Sequence, residues 1–328
     1  EIDLVVVNFY PFEKTLTSTN NHPKIIENID IGGPAMVRAA AKNYNDVTVV
    51  TNPNQYDNLI KELNINKGKT TKNFRLKMSE EAFSEVAYYD SIIANYISRF
   101  NKNEFPKKQT ISGNLIEKLR YGENPHQKSA IYSLQKKLDI KQIYGKKLSY
   151  NNYNDVFSAL AISKSLPKNV GTVIVKHANP CGVSINNDQL NSYQSALACD
   201  PISAFGGIVA CNYKIKKKLA VQLNKIFLEV VVSNGFEKDA LKILKKRKNL
   251  RLIDANNLSL INTNNFLSNF NSILVQSPDN KKFTKNDFKI VSKKKPTLNQ
   301  LNNLIFAFNV CRHVKSNAIV IANNKSTL

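Results

Sequence analysis

The sequence predicts an α/β protein in which helices cover a largely parallel or mixed β-sheet. Short runs of β-branched and aliphatic residues, typical of buried strands, alternate with amphipathic segments, typical of helices, along all 328 residues. The hydrophobic content of 42% is ordinary for a globular protein, and no repeat of fixed period is present. A chain of this length has room for two or three domains.

The first part of the chain carries the patterns of two strands and three helices. The predicted elements are buried strands at 2–7 and 47–50 and helices at 23–29, 35–42 and 71–99. Gly32, Gly33 and Pro34 predict a turn that opens the second of these helices. Because glycines at a helix N-terminus expose backbone N–H groups, this turn is also a candidate anion site.

A polar segment marks a candidate domain boundary. Residues 101–110 are polar and charged and include Pro106, so we expect a linker there. Beyond it, the predicted elements are strands at 173–175, 208–211, 230–232, 250–253 and 318–321, and helices at 155–166, 190–198, 216–227, 238–245 and 297–313. The asparagine-rich segment 256–271 predicts a loop or insertion.

The net charge of +22 makes a basic nucleic-acid-binding module an alternative to an enzyme. The charge is mostly lysine in scattered or short runs, and asparagine is also enriched, as an A/T-rich coding bias would produce. Aromatic residues do not interleave with the basic runs as a single-strand stacking surface requires, so no nucleic-acid partner is expected. Salt-dependent retention on DNA or RNA would discriminate between the two hypotheses.

The four cysteines bear on compartment and metal binding. Cys181, Cys199, Cys211 and Cys311 contain no CxxC pair, which fits the reduced thiols of a cytoplasmic protein. His177 and Cys181 are four residues apart, but the paired spacing of a structural zinc site is missing, so no metal is expected. A zinc deaminase stays an alternative that metal analysis would settle. No stretch of 18 apolar residues is present, so no membrane partner is expected.

The most informative segment is VIVKHANPCG at residues 173–182. A β-branched strand delivers Lys176 and His177 side by side, and the chain is then expected to turn through Asn179-Pro180 and Gly182. A cation beside an imidazole suits chemistry in which negative charge develops and a proton moves. The structural alternative is a buried strand, a Pro-Gly turn and a solvated lysine.

Three further segments contain residues of the kinds that bind ligands. The loop 120–127 combines arginine, tyrosine and histidine, and arginine binds phosphate through two parallel hydrogen bonds. The glycines of SAFGG at 203–207 would let the backbone approach a ligand, although any strand start could carry them. Asp30 and Lys42 flank the Gly32-Gly33 turn, and their structural alternative is a surface charge pair.

Together these segments resemble one family, the bifunctional purine biosynthesis proteins, which join inosine monophosphate (IMP) cyclohydrolase to aminoimidazole-carboxamide ribonucleotide (AICAR) formyltransferase. The resemblance covers essentially the whole chain. The matching segments, in order, are IDLVVVNFYPFEKT, ENIDIGGPAMVRAAAKN, VTVVTNP, LRYGENPHQ, GKKLSYNNYND, VIVKHANPCGVS, CDPISAFGGIVA and FAFNVCRHVKSNAIVIA.

The resemblance implies the fold class in more detail. Residues 1–105 would be the C-terminal part of a Rossmann-like, methylglyoxal-synthase-like cyclohydrolase domain. Residues 106–328 would be the formyltransferase region, with the first cytidine-deaminase-like α/β/α subdomain complete and the second only begun. We therefore expect an internal fragment of a longer protein that is inactive alone, with the early cyclohydrolase lysine and the folate pocket outside it. A degenerate, inactive copy also stays open.

The resemblance further implies the last two steps of IMP synthesis. A formyl group passes from 10-formyltetrahydrofolate, the co-substrate, to the 5-amino group of AICAR. The product, FAICAR, then closes to IMP with loss of water. The implied partners are these small molecules and a second copy of the protein in a homodimer, and no metal is implied.

The resemblance carries roles onto particular positions. Lys176 and His177 match the catalytic pair, Asn317 matches an asparagine that orients the reacting groups, and Lys42 matches the residue that moves protons during ring closure. The implied substrate-binding positions are Arg120, Tyr121, His126, Gly206 and Glu229 for AICAR, and Asn8, Tyr10 and Asp30 for the cyclohydrolase nucleotide. The VVSNG that follows Glu229 departs from the family's Ala-Pro pattern.

Overall fold

The structure is a computed structural model, and it describes residues 2–135, 137–256, 258, 264–281, 283–323 and 325–328. The chain forms two compact units. Unit 1 comprises Glu1–Asn114 with Leu134–Lys136, and unit 2 comprises Leu115–Ser133 with Lys137–Leu328. Within the described residues, no helix has both the length and the apolar character needed to cross a membrane.

Unit 1 packs helices against a small parallel sheet. Its elements are β1 (Leu4–Val6), α1 (Phe12–Ser18), α2 (His22–Glu27), α3 (Gly32–Lys42), β2 (Thr48–Val50), α4 (Tyr56–Ile65) and α5 (Lys72–Phe100). β1 and β2 pair in parallel, and α5 packs against α3 and β2. The core contains Val37, Ala41, Val49, Met78 and Val86. The long helix begins where predicted because the Thr71 side chain accepts a hydrogen bond from the N–H of Phe74.

Two predictions for unit 1 need correction. The strand over 2–7 was expected to be buried, but Leu4 and Val6 of β1 are 40% and 45% exposed. Successive side chains of a strand point to opposite faces, and of these three residues it is Val5 that packs on the core. The helix expected from Ala35 begins at Gly32 instead.

Unit 2 is built on a large mixed sheet. Its strands are β3 (Asn114–Leu119), β4 (Ser129–Ser133), β5 (Lys141–Tyr144), β6 (Gly171–Lys176), β7 (Asn179–Ile185), β8 (Ile208–Cys211), β9 (Val230–Ser233), β10 (Arg251–Asp254), β11 (Asn265–Asn269), β12 (Ser272–Gln276), β13 (Ala322–Asn323) and β14 (Ser326–Thr327). Eight of them form one sheet in the order β13-β14-β7-β6-β8-β9-β10-β5. β8, β9 and β10 are parallel, whereas β6 is antiparallel to both neighbours. The predicted mixed α/β architecture is thus confirmed.

Helices cover both faces of this sheet. They are α6 (Tyr150–Ser165), α7 (Gln189–Cys199), α8 (Lys217–Leu223), α9 (Lys238–Leu244) and α10 (Leu298–Cys311). Val173 and Val175 of β6 lie in one core with residues of α6 and α10, whereas Ile174 lies in a second core with residues of α7, α8 and α9. The consecutive apolar residues of the central strands therefore serve two cores, one on each face.

The expected turn through Asn179-Pro180 and Gly182 is wrong, because these residues lie in β7. The chain reverses at His177 and Ala178 instead, and Lys176 pairs with Asn179. The β6–β7 register shifts between Ile174 and Val175, so a bulge accommodates Pro180, which has no N–H to donate.

Three other predicted elements differ. The segment 256–271 was expected to be a loop or insertion, and the hairpin of β11 and β12 rules out a loop over 265–271, while residues 257 and 259–263 lie outside the described residues. Residues 318–321 form no strand, and β13 begins at Ala322. The helix expected over 216–227 ends at Leu223, and the Arg247 guanidinium donates to the carbonyls of Asn224 and Ile226 just beyond that end.

Substitution of Gly182 is expected to lower the stability of the fold strongly. A Cβ atom at Gly182 would lie 1.8 Å from the carbonyl oxygen of Ala196, because α7 packs directly on the β7 backbone. We expect Gly182→Ala to lower the free energy of unfolding by about 3 kcal/mol, since backbone cannot yield as a flexible side chain can. Urea unfolding followed by circular dichroism measures the effect. Gly32→Ala, whose Cβ meets nothing within 4 Å, is the control, and equal stability of the two variants would contradict the prediction.

Candidate functional site

One end of the central strands of the large sheet brings together Lys176, Gly206 and Glu229 of the predicted formyltransferase residues. The last residues of β6 lie beside the first residues of β8, since Val175 pairs with Ile208. Val230 of β9 pairs with Ile208 on one side and with Arg251 of β10 on the other. The site therefore lies at the amino ends of three parallel strands, whereas open α/β sheets usually bind ligands at the carboxyl ends.

A two-residue turn presents the lysine–histidine pair. His177 and Ala178 have φ angles of 53° and 59°, the left-handed conformation that a tight hairpin turn requires at both central positions. Asn-Gly is the favoured pair there, and the left-handed conformation costs other residues roughly 1–2 kcal/mol each. The N–H of Ala178 donates to Asp155 Oδ1 at 2.7 Å, so a carboxylate on α6 holds the turn. The His177 side chain is exposed.

The Lys176 ammonium is tied to the loop before β8. Its Nζ donates to the carbonyl oxygen of Phe205 at 2.9 Å. Asp200 organises this loop by accepting from the N–H of Ser203 at 2.9 Å, and hydrogen bonds from Ser203, with a smaller contribution from Lys176, lower the pKa of Asp200. The ammonium has three donors, so this contact leaves two of them for a substrate.

Backbone conformation and close packing require glycine at two positions of this loop. Gly206 has a φ of 75°, and a Cβ at Gly207 would lie 2.9 Å from the carbonyl oxygen of Val175. Glycine is therefore needed whether or not a ligand approaches. The presence of both glycines is therefore explained by the start of the strand, without a ligand.

Glu229 is held by two residues that the sequence did not point to. Asn152 Nδ2 donates to Glu229 Oε2 at 2.7 Å, and Arg251 Nη1 lies 3.4 Å from the same oxygen. Arg251 is 8% exposed, and its burial lowers the pKa of the guanidinium. The negative charge of Glu229 opposes this shift, and the positive charge of Arg120 adds to it. Arg120 therefore lies within electrostatic range of the Glu229–Arg251 pair.

The 120–127 loop is ordered by its own side chains. The Arg120 guanidinium carbon lies 5.7 Å from the centre of the Tyr121 ring, and Ser129 Oγ donates to the Tyr121 carbonyl. The Gln127 side chain accepts from the N–H of Asn124 at 2.7 Å. His126 is exposed, as is Asn317 farther along the chain, and no hydrogen bond or ion pair within the described residues joins either one to the site.

Sequence reasoning missed Asn152, Asp155 and Arg251. Asn152 and Asp155 are three residues apart and share one face of α6, but the predicted helix began only at residue 155, whereas α6 begins at Tyr150. Arg251 interrupts an otherwise apolar strand, which is unusual for a buried position.

In unit 1, Asp30 binds backbone groups. Its carboxylate accepts from the N–H of Tyr10 at 3.2 Å and from the N–H of Gly33 at 2.8 Å. The candidate anion site at the start of α3 is thus occupied, at Gly33, by the chain's own carboxylate. Lys42 is exposed at the other end of α3, roughly 15 Å away at 1.5 Å per residue.

Asn8 follows β1 and is paired across unit 1. Its Nδ2 lies 3.1 Å from the hydroxyl of Tyr56, the first residue of α4. Because β1 and β2 are parallel, their carboxyl ends meet at one edge, and Asn8 and Tyr56 lie beyond that edge. Asn8 and Asp30 thus make side-chain hydrogen bonds within unit 1, and Tyr10 is held there through its backbone N–H.

The unit 2 site can bind an anionic, hydrogen-bonding small molecule and move a proton. It offers an ammonium, an exposed imidazole, a carboxylate and a guanidinium close to a tyrosine. Burial raises the pKa of Cys181 to about 11, so this thiol is protonated at neutral pH. Among the described residues, no group of three or more His, Cys, Asp or Glu side chains could hold a metal ion.

Comparisons with known proteins follow the same segments. The family model described as "AICARFT/IMPCHase bienzyme" matches residues 40–328. The "Bifunctional purine biosynthesis protein PurH" of Prochlorococcus marinus (strain MIT 9515) is 45% identical over 100% of this chain and 65% of the relative. The protein of that name from Thermoanaerobacter sp. (strain X514) is 42% identical with the same coverage. The chain thus spans 65% of the length of these relatives.

A solved structure titled "Crystal structure of ForH" also matches. It is 30% identical, with a TM-score of 0.26, and the match covers 32% of this chain and 54% of that one. A TM-score this low carries no argument about the fold.

The Asp30 contacts predict a local structural effect. Asp30→Ala removes the acceptor for two N–H groups, so we expect unit 1 to lose about 1–2 kcal/mol of stability, as for a lost helix cap. Amide hydrogen exchange should become faster at Tyr10 and Gly33. Asp46→Ala, at an exposed position, is the control. Unchanged exchange at both amides would show that these hydrogen bonds do not hold the loop.

Proposed function

This chain belongs to the AICARFT/IMPCHase bienzyme family, and on that premise we propose that the protein performs the last two steps of IMP synthesis. A formyl group passes from 10-formyltetrahydrofolate to the 5-amino group of AICAR, and FAICAR then closes to IMP with loss of water. The observation that carries the proposal is the convergence of Lys176, His177 and Glu229 at one sheet edge.

The domains follow from the same premise. Residues 1–105 form the methylglyoxal-synthase-like, Rossmann-like cyclohydrolase part, and residues 106–328 form the cytidine-deaminase-like formyltransferase part. The α/β/α layering of unit 2 supports the second assignment. The protein acts as a cytoplasmic homodimer on small-molecule substrates.

His177 and Lys176 divide the chemistry of formyl transfer. The AICAR amine is a weak nucleophile, because its lone pair is delocalised toward the carboxamide. The exposed His177 imidazole takes the proton as the amine attacks. Lys176, held by the Phe205 carbonyl, directs its other donors to the developing oxyanion or the departing folate nitrogen. Asn317 orients the reacting groups.

AICAR binds between the 120–127 loop and Glu229. Arg120 forms parallel hydrogen bonds to the phosphate, and Tyr121 supplies a ring face or a donor. Within the described residues, both contacts of the Glu229 carboxylate go to Oε2, so Oε1 is available to an N–H or O–H of the substrate. His126 and Gly206 complete the contacts.

The cyclohydrolase site uses residues of unit 1. Lys42 moves protons during ring closure, and Asn8, Tyr10 and Asp30 line the nucleotide site. The contacts of Asp30 support a positioning role, because its carboxylate fixes the backbone of Tyr10.

Alanine variants test the formyltransferase assignment in the full-length bienzyme. We expect Lys176→Ala and His177→Ala each to lower the kcat of formyl transfer by about 10²–10⁴, the usual contribution of acid–base groups. Conversion of FAICAR to IMP by the same variants should be unchanged, which controls for folding. Lys168→Ala, at an exposed lysine, is the matched control for charge. Near-normal formyl transfer by both site variants would exclude the assignment.

A further inference from the structure

The turn that presents the catalytic pair is held in a conformation its own residues disfavour. His177 and Ala178 both have positive φ angles, and neither is glycine, the residue for which such angles cost nothing. Strained backbone of this kind persists only when surrounding structure over-determines it, and it clusters at active sites. A group outside the turn must therefore stabilise it.

Asp155 is that group. Its carboxylate accepts a hydrogen bond from the N–H of Ala178 at 2.7 Å, and the adjacent N–H of His177 lowers the pKa of the same carboxylate. Burial raises the pKa of Asp155 above its usual value, and the backbone N–H groups of the turn offset only part of that shift.

The carboxylate has a rigid support. Asp155 lies in α6, and its neighbours Val156 and Ala159 are fully buried in the core that contains Val173 and Val175 of β6. The helix that carries the acceptor is therefore packed against the strand that carries Lys176. One turn earlier, Asn152 of the same helix holds Glu229.

We propose that Asp155 is a positioning residue for formyl transfer, which aims Lys176 and His177 by clamping the left-handed turn and does not itself touch substrate. The inference rests on the proposed function of this site. It assigns to α6 the task of fixing the catalytic pair relative to Glu229.

Substitution of Asp155 tests the proposal in the full-length bienzyme. We expect Asp155→Ala to lower the kcat of formyl transfer about 100-fold, the scale of a small misplacement of catalytic groups, while KM for AICAR changes less than about threefold. Asp155→Asn, which keeps one acceptor oxygen, should have an intermediate kcat. FAICAR cyclisation should be unaffected in both.

A second substitution separates positioning from general stability. Glycine adopts positive φ without strain, so Ala178→Gly in the Asp155→Ala background should recover kcat by about tenfold. Asp188→Ala, which removes a carboxylate that caps α7, should lower stability and leave kcat unchanged. Asn154→Ala, at an exposed position next to Asp155, should match the wild type.

The outcomes are distinguishable. Three results would overturn the positioning role. They are an equal kcat for Asp155→Ala and Asn154→Ala, an effect of Asp155→Ala on KM alone, and a loss of kcat that Ala178→Gly does not relieve. A wild-type enzyme without formyl transfer to AICAR would overturn the proposed function instead. Hydrogen exchange at the Ala178 amide then still tests the clamp, because exchange there must accelerate in Asp155→Ala, and an unchanged rate overturns it.

Discussion

The hydrogen bond from the Ala178 N–H to the Asp155 carboxylate is the interaction on which the proposed formyltransferase site depends. It closes the β6–β7 hairpin in two residues, so Lys176 leaves the strand within reach of the Phe205 carbonyl. A longer or looser turn would separate the lysine from this loop and the imidazole from the sheet edge. The pair is thus directed by a helix that precedes it in the chain and not by the strand alone.

The sheet supplies the rigidity that makes such a clamp effective. Its central strands are buried on both faces, so a shift of one residue in register would exchange the side chains of the two cores. α7 approaches so closely at Gly182 that no side chain fits there. The parallel run of β8, β9 and β10 then brings Gly207, Glu229 and Leu250 to one edge, each just before its strand. A site built on strand ends inherits the precision of the whole sheet.

The sequence predicted those parts of the fold that depend on local pattern. The strands near Val49, Val173 and Val231 were expected, because consecutive β-branched residues indicate burial on both faces. The turn was predicted at the wrong residues because proline and glycine are usual turn residues. Here a bulge accommodates Pro180, and the close approach of α7 requires glycine at position 182. His177-Ala178 gives no turn signal, since its stabilisation comes from a residue 22 positions earlier than His177. The roles of all the site residues stay predictions, and for Asn317 and His126 no hydrogen bond or ion pair within the described residues joins them to the site.

The most direct test of this account is a crystal structure of the full-length bienzyme with AICAR bound. The account predicts that AICAR contacts the Arg120–Tyr121 loop and the Glu229 carboxylate, with its 5-amino group facing the His177 imidazole and the Lys176 ammonium. Asp155 should still accept from the Ala178 N–H in that complex. AICAR bound at another edge of the sheet, or bound here with its amine directed away from His177, would contradict the account.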